Sequence, residues 1–251
     1  MSVGSSLVLA AHGTRDPAGI AELDRLASLV ALRLPGVAIR VGYVDVLGPS
    51  VASLLSEVDG PVTLVPVFLA RGYHVRADIP AAVANAGRPD ITVTPALGPD
   101  PALIAVALDR LRTAGAHLDG AYSADGARSG GARSAHPADA VVLAAAGSAD
   151  PRAIADVERA AQLLGAPAGF IATASPSVEQ VVRSVRAHRS HDRVAIASWL
   201  LAPGFFHTRL ADAGADIVAE PLGAHPAVAD LIVRRATDPS LTACGPAPGE
   251  P

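Results

Sequence analysis

The chain has 251 residues, half of them hydrophobic, and can therefore bury one large core or two smaller ones. Its net charge of −4 and its 3% aromatic content argue against nucleic acid as a partner. The one cysteine, Cys244, lies in a Pro/Gly-rich tail, which excludes a disulfide framework and a cysteine metal cluster. No run of about 18 apolar residues occurs and the N-terminus has no basic start, so we expect a cytoplasmic protein with no membrane partner.

In the N-terminal half, short β-branched runs alternate with helical patterns. The pattern predicts strands at 7–11, 37–44, 62–69 and 91–94, and helices at 17–34, 49–58, 79–86 and 101–114. Continuous apolar runs such as VTLVPVFL are typical of strands buried on both faces. The prediction is an α/β domain over residues 1–116, with a four-stranded, mostly parallel sheet flanked by helices.

The C-terminal half repeats this alternation after a turn-rich stretch. Residues 117–139 are small and polar, and we predict a flexible linker there. The second domain, 140–236, has predicted strands at 140–146, 168–173, 193–201 and 216–219, and predicted helices at 151–164, 177–187, near Thr208 and at 226–235. Residues 237–251 are predicted to be a disordered tail.

The two halves are imperfect copies of each other. Residues 7–30 align without a gap to 141–164, and twelve of the 24 positions are identical. A second ungapped pairing joins 62–74 to 194–206. These matches indicate a duplicated domain, because the period is far longer than that of a solenoid repeat.

The copies differ at histidine. His12 aligns with Ala146 and His74 with Phe206, so an imidazole in the first copy is absent from the second. Both histidines follow predicted strands, and the carboxyl edge of a parallel sheet is where ligands bind. Asp45, at the end of the second predicted strand, can bring a carboxylate to the same edge. Two imidazoles and a carboxylate suit a first-row divalent ion, whereas each residue taken alone is equally compatible with an ordinary loop or capping position.

Three arginines, Arg15, Arg71 and Arg76, lie in the same predicted loops. Arginine binds carboxylates with paired hydrogen bonds, although solvated loop charges are the simpler interpretation for each one. Arg15 aligns with Ala149 and Arg71 with Pro203. Their loss together with the histidines favours an anionic ligand.

These motifs resemble a known family. AHGTRDP at 11–17, the acidic residue four before Pro49-Ser50, VPVFLARGYHVRADIP at 65–80 and ALGPDP at 96–101 are similar to class II tetrapyrrole chelatases of the CbiX/SirB kind. The C-terminal half resembles the degenerate second domain of the long, two-domain form.

The resemblance implies a lyase that inserts Fe²⁺ or Co²⁺ into sirohydrochlorin, for sirohaem or cobalamin, without ATP or an organic cofactor. It implies that His12 and His74 bind the ion and assist removal of the pyrrole protons. Asp45 is similar in place to an acidic metal ligand that is usually Glu, and it is shorter by one methylene. The implied substrate-binding residues are Gly13, Thr14, Arg15, Arg71, Tyr73 and Arg76, in a monomer that forms an internal pseudo-dimer.

Other functions fit less well. A histidine phosphatase needs arginine before the histidine, and Ala11 stands there. The G-x-S-x-G element of many serine hydrolases and the G-x-G-x-x-G of dinucleotide-binding enzymes are both missing. A metal or tetrapyrrole carrier without turnover remains the alternative. His207, one place past the slot of His74, is predicted to be a surface residue.

Overall fold

The computed structural model describes residues 5–45, 48–118, 139–188, 193–238 and 240. The first half contains β1 (Ser6–Ala11), α1 (Pro17–Arg33), β2 (Ala38–Tyr43), α2 (Val51–Glu57), β3 (Val62–Pro66), a π-helical turn (His74–Asp78) leading into α3 (Ile79–Ala86), β4 (Ile91–Val93) and α4 (Pro101–Thr113). The second half contains β5 (Ala140–Ala145), α5 (Pro151–Leu164), β6 (Ala168–Phe170), α6 (Val178–His188), β7 (Val194–Trp199), α7 (Phe205–Arg209) with a 3-10 turn (Leu210–Asp212), β8 (Ile217–Val218) and α8 (Pro226–Thr237).

Each half forms one parallel four-stranded sheet. The strand orders are β2-β1-β3-β4 and β6-β5-β7-β8, so the two sheets have the same topology. Every residue of β1 and of β5 is buried, as the apolar runs predict for strands covered on both faces. The predicted fold of two similar α/β domains is confirmed.

The chain divides into two compact units. Unit 1 consists of Met1–Leu97 and Ala224–Pro251, and unit 2 consists of Gly98–Gly223. The core of unit 1 includes Val8, Leu55 and Leu64, and that of unit 2 includes Val142 and Ile196. In the part of the chain that the structure describes, no helix combines the length and apolar character needed to cross a membrane.

This division differs from the predicted domain boundaries at two helices. The prediction placed α4 in the first domain and α8 in the second. In the structure α4 packs on β7 and α5 of unit 2, whereas α8 packs on α1 and β3 of unit 1. Polar contacts add to the second packing: Arg33 Nε lies 2.5 Å from Asp230 Oδ1, and Ala224 N donates to Glu22 at 2.6 Å. An amphipathic pattern shows that a helix buries one face, but not which sheet covers it.

Several element ends also differ from prediction. The strand predicted at 62–69 ends at Pro66, because its partner β1 ends at Ala11 and the last pair is Ala10 with Pro66. The helix predicted from 49 begins at Val51, because Ser50 is its N-cap and accepts a hydrogen bond from Ser53 N at 3.0 Å.

The predicted linker and tail lie largely outside the described residues. The two ends of the linker are described and are joined: His117 N donates to the Asp139 carboxylate at 2.7 Å, and Asp139 N donates to His117 O at 2.8 Å. Asp139 is also paired with Arg193 at 2.8 Å. Residues 119–138, 239 and 241–251 are not among those described.

Asp216→Asn is expected to make the stability of unit 2 depend less on pH. The Asp216 carboxylate accepts hydrogen bonds from Val194 N and Arg186, each at 2.8 Å, and these bonds lower its pKa below the ordinary value. A lowered pKa in the folded state stabilises the protein above the unfolded pKa of about 3.9, and this contribution is lost as pH falls through the folded value. The variant should therefore have a lower Tm than wild type at pH 7, with the difference shrinking below about pH 4.

Scanning calorimetry from pH 7 to pH 3 measures this effect. Asp212→Asn, which removes a charge from an exposed position of the same unit, is the matched control. A Tm difference that stays constant over the whole pH range would contradict the expected linkage.

Candidate functional site

His12 is the first residue after β1, an inner strand of the unit 1 sheet. The backbone turns there at Gly13, whose φ is +98°, and a Cβ on Gly13 would lie 2.2 Å from the carbonyl oxygen of Asp45. Only glycine fits this approach, since an L side chain is strained at that φ and has no room. The turn leaves the His12 side chain exposed at the carboxyl edge of the sheet.

His74 reaches the same edge by a different route. It opens the π-helical turn before α3, after the loop that follows β3, which agrees with its predicted place after the third strand. Its Nδ1 lies 2.5 Å from Asp78 Oδ2, one turn further on. The rings of Phe68 and Tyr73 flank the imidazole at centroid distances of 6.1 and 6.2 Å.

The two imidazoles form a close pair, with ring centroids 4.6 Å apart and an interplanar angle of 79°. His12 Nδ1 lies 3.2 Å from Gly13 O, and His74 Nδ1 faces the Asp78 carboxylate. A carbonyl and an ionised carboxylate can only accept, so each neutral ring carries its proton on Nδ1. Both Nε2 atoms are then left with lone pairs that can bind a metal ion or accept a proton.

For the third predicted metal ligand, Asp45, the structure shows a backbone contact with His12. Asp45 is exposed, and its backbone N donates to His12 O at 3.1 Å, so the two chain segments are adjacent. Among the described residues, no group of three or more His, Cys, Asp or Glu side chains is placed to hold a metal ion. The structure brings together two of the three predicted ligands, and Asp45 as a ligand stays a prediction.

The residues predicted to bind substrate all lie within three positions of His12 or His74 in the chain. Arg15, Arg71, Tyr73 and Arg76 are exposed, and the Tyr73 side chain is 62% exposed. Thr14 has a local role, since its Oγ1 accepts from Asp16 N at 3.1 Å, and Ser148 makes the equivalent bond to Asp150 N at 3.0 Å. Gly13 and Thr14 therefore each have a role in the local backbone structure that is separate from substrate binding.

Sequence reasoning missed Asp78. The signal is the spacing of four residues from His74, which places two side chains on the same face of a helix. Asp78 precedes α3 where an aspartate usually caps, as Asp16, Asp100 and Asp150 do at their helices. It makes no capping hydrogen bond, and its carboxylate faces His74 instead. Phe68, which stacks near His74, was also missed.

Unit 2 keeps the backbone geometry of this site but lacks its polar side chains. Gly147 has φ +94°, and a Cβ there would meet the Ala172 carbonyl oxygen as one on Gly13 would meet that of Asp45. Ala172 N donates to Ala146 O, as Asp45 N does to His12 O. These matched bonds pair Asp45 with Ala172, and continuing the ungapped alignment from His74 pairs Asp78 with Leu210. Four polar groups of unit 1 are thus replaced in unit 2, by Ala146, Ala172, Phe206 and Leu210.

Comparison with known sequences identifies a family. The family model described as CbiX matches residues 6–114 and 140–239, which covers both halves. A curated relative, the sirohydrochlorin cobaltochelatase of Methanococcoides burtonii, is 32% identical over 84 residues. That alignment spans 32% of this chain and 64% of the relative's length.

Solved structures agree with the fold over nearly the whole chain. SirB from Bacillus subtilis with Fe³⁺ has a TM-score of 0.73 at 18% identity, covering 95% of this chain and 96% of that one. SirB from Bacillus subtilis subspecies spizizenii in complex with cobalt has a TM-score of 0.68 at 17% identity, with coverage of 94% and 97%. CbiX, described as the terminal enzyme for siroheme biosynthesis in denitrifying bacteria, has a TM-score of 0.62 at 22% identity, with coverage of 92% and 97%.

Proposed function

The chain belongs to the CbiX family, and we propose on that premise that it inserts a divalent metal ion, Fe²⁺ or Co²⁺, into sirohydrochlorin. The observation that carries the proposal is the imidazole pair, with rings 4.6 Å apart and both Nδ1 atoms held by oxygen acceptors. The substrate is inferred from the relatives, which are sirohydrochlorin chelatases, and the imidazole pair supports a site for the reaction.

The reaction needs two pyrrole N–H protons to leave while one M²⁺ ion enters the ring, so two protons are released per ion inserted. A neutral imidazole both ligates divalent ions and accepts protons near neutral pH. Each Nε2 of His12 and His74 has one lone pair, so it can either ligate the incoming ion or accept a proton. As the ion passes to the pyrrole nitrogens, the lone pairs that it frees can accept the two pyrrole protons and pass them to water. Two imidazoles leave the remaining coordination positions of the ion to water and then to the pyrrole nitrogens.

The remaining site residues have proposed roles around this pair. Asp45 supplies negative charge near the incoming ion, a role supported by its adjacency to His12 and its loss in unit 2. The exposed guanidinium groups of Arg15, Arg71 and Arg76 bind carboxylates at the rim of the macrocycle, and Tyr73 contacts its face. The proposal includes a cytoplasmic monomer that uses neither ATP nor an organic cofactor.

Anaerobic absorbance spectroscopy of sirohydrochlorin tests the function directly. Fe²⁺ or Co²⁺ is mixed with the macrocycle, with and without the purified full chain, and the metallated spectrum is followed in time. We expect faster conversion with the protein, and the two metals are then ranked by kcat/KM. A rate equal to that of the protein-free mixture, with the macrocycle still bound, would leave a carrier as the function.

Asp78 is proposed to be a positioning residue for His74. Its carboxylate holds the Nδ1 proton and orients the ring, as outer carboxylates commonly do for histidines that bind metals. Asp78→Ala should lower kcat/KM for the metal ion by about 10- to 100-fold, with sirohydrochlorin affinity unchanged. Asp78→Asn keeps an oxygen acceptor at this position and should lose less.

Nitrogen-15 NMR of the imidazole rings separates orientation from general stability. In the wild type His74 should show a protonated Nδ1 and an unprotonated Nε2, whereas Asp78→Ala should show a mixture of tautomers. An unchanged tautomer together with an unchanged kcat/KM for the metal would contradict the assignment of Asp78.

A further inference from the structure

In the described part of the chain, three helices begin with an aspartate N-cap that is followed by proline. In each of them the carboxylate accepts a hydrogen bond from the N–H of the second helical residue. These caps are Asp16 of α1, Asp100 of α4 and Asp150 of α5. Aspartate is ordinarily ionised near neutral pH, and an ionised carboxylate can only accept hydrogen bonds, so a cap of this kind does not change over the physiological pH range.

The helix α8 begins in the same way, but its N-cap is a histidine. His225 precedes Pro226, and its Nδ1 accepts a hydrogen bond from Ala227 N at 3.1 Å. Aligning LGPDPAL of the first copy with LGAHPAV of the second pairs Asp100 with His225. The second copy therefore has an imidazole where the first has a capping carboxylate.

An imidazole can cap a helix only while it is neutral. The Nδ1 of His225 must present its lone pair to the amide, so the one proton of the neutral ring lies on Nε2. A second proton occupies Nδ1 and turns this acceptor into a donor. The imidazolium also places a positive charge at the positive end of the helix dipole. Histidine is the side chain that ordinarily changes charge between pH 5 and 8, so the cap is sensitive to pH in that range.

The charged groups that face this end of α8 lie on α1 and on α8 itself. The Glu22 carboxylate accepts from Ala224 N at 2.6 Å and is paired with Arg25, and Arg33 is paired with Asp230 at 2.5 Å. The other element packed on α8, β3, has no titratable residue. Carboxylic acids ordinarily titrate well below the range of imidazole. Among these groups the imidazole is therefore the one that changes charge between pH 5 and 8.

The stability of α8 matters for the whole of unit 1. The helix packs on α1 and β3, and its side chains Val228, Leu231 and Ile232 are fully buried. We infer that His225 is a pH-sensitive N-cap that controls how firmly α8 completes unit 1. The capping hydrogen bond stabilises unit 1 while the imidazole is neutral, and this contribution is lost as the pH falls and the ring gains its second proton. The inference goes beyond the proposed function, because it concerns the stability of the unit and not the reaction.

Thermal unfolding of the full chain at about pH 8 and about pH 5.5 tests this switch. The variant His225→Asp restores the residue of the other copy, and its Tm advantage over wild type should grow by about 3–6 °C between the higher and the lower pH. The other histidines are common to both proteins, so their titration cancels in the difference. His225→Ala, which has no acceptor at either pH, should be less stable than wild type at the higher pH and should lose that deficit at the lower pH.

Two further measurements separate capping from other effects of the substitution. Nitrogen-15 NMR of His225 at about pH 8 should show an unprotonated Nδ1 and a protonated Nε2, the reverse of the tautomer expected for His74. Asp100→His in α4 is the reciprocal variant, and it should make hydrogen-exchange protection of the first turn of α4 fall between about pH 8 and about pH 5.5. A Tm difference between His225→Asp and wild type that is equal at both pH values, or a protonated Nδ1 on His225 at the higher pH, would overturn the inference. Neither outcome depends on metal insertion, so the proposed function is tested separately.

Discussion

His12→Ala and His74→Ala are each expected to reduce the rate of metal insertion by about 100-fold or more. Each change removes one Nε2 from a pair whose ring centroids are 4.6 Å apart, and with it one ligand and one proton acceptor. Neither side chain is part of the buried core, since His12 is exposed and His74 is 28% exposed on its side chain. The variants should therefore keep the Tm of the wild type while losing activity.

The double variant shows whether the histidines act together. If both histidines bind the same ion, the second substitution should lower the rate of metal insertion little further once the first is made. The effects of substituting groups that act as a unit are strongly non-additive. His207→Ala is the matched control: it removes an imidazole from unit 2 whose Nε2 lies 3.2 Å from the Ala219 carbonyl oxygen, and it should leave the rate unchanged. Near-normal metallation by either single variant would refute the paired mechanism and favour a carrier.

The pairing of the histidines, the sheet topology and the family could all be predicted from residue patterns. The carboxyl ends of parallel strands meet at one edge, so histidines after the first and third predicted strands were expected near each other, and the structure places them together. The ungapped repeat predicted one topology used twice, and both sheets show it. The family follows from motifs that span most of the first half, and the family match confirms it.

The missed features depend on tertiary context. Asp78 has the sequence position of a helix cap. Its contact with His74 is visible only in the structure, where His74 lies one helical turn away and Asp78 makes no capping hydrogen bond. The exchange of α4 and α8 between units was also hidden, because an amphipathic pattern shows that a helix buries one face but not which sheet covers it. The repeat itself favoured the simpler division, since α4 and α8 are each the last helix of their half in chain order.

Truncating buried side chains of α8 should destabilise unit 1, although α8 lies at the end of the second repeat. The reason is that α8 packs in unit 1 and not in unit 2. Leu231 and Ile232 are fully buried, and α8 packs on α1 and β3. Replacing either by alanine should cost about 2–5 kcal/mol, a large share of a typical domain's stability. Val233→Ala, at a partly exposed position of the same helix, should cost much less.

Hydrogen exchange followed by mass spectrometry shows which unit each helix stabilises. Leu231→Ala should speed exchange in β1 and β3 first, whereas Leu108→Ala in α4 should speed exchange in β5 and β7, because α4 packs on β7 and α5. The α8 variant should also lose metal insertion as unit 1 opens, since β1 and the loop after β3 position His12 and His74. The reverse pattern of exchange, with α8 protecting β5 and β7, would restore the sequential domain boundaries that the repeat predicts.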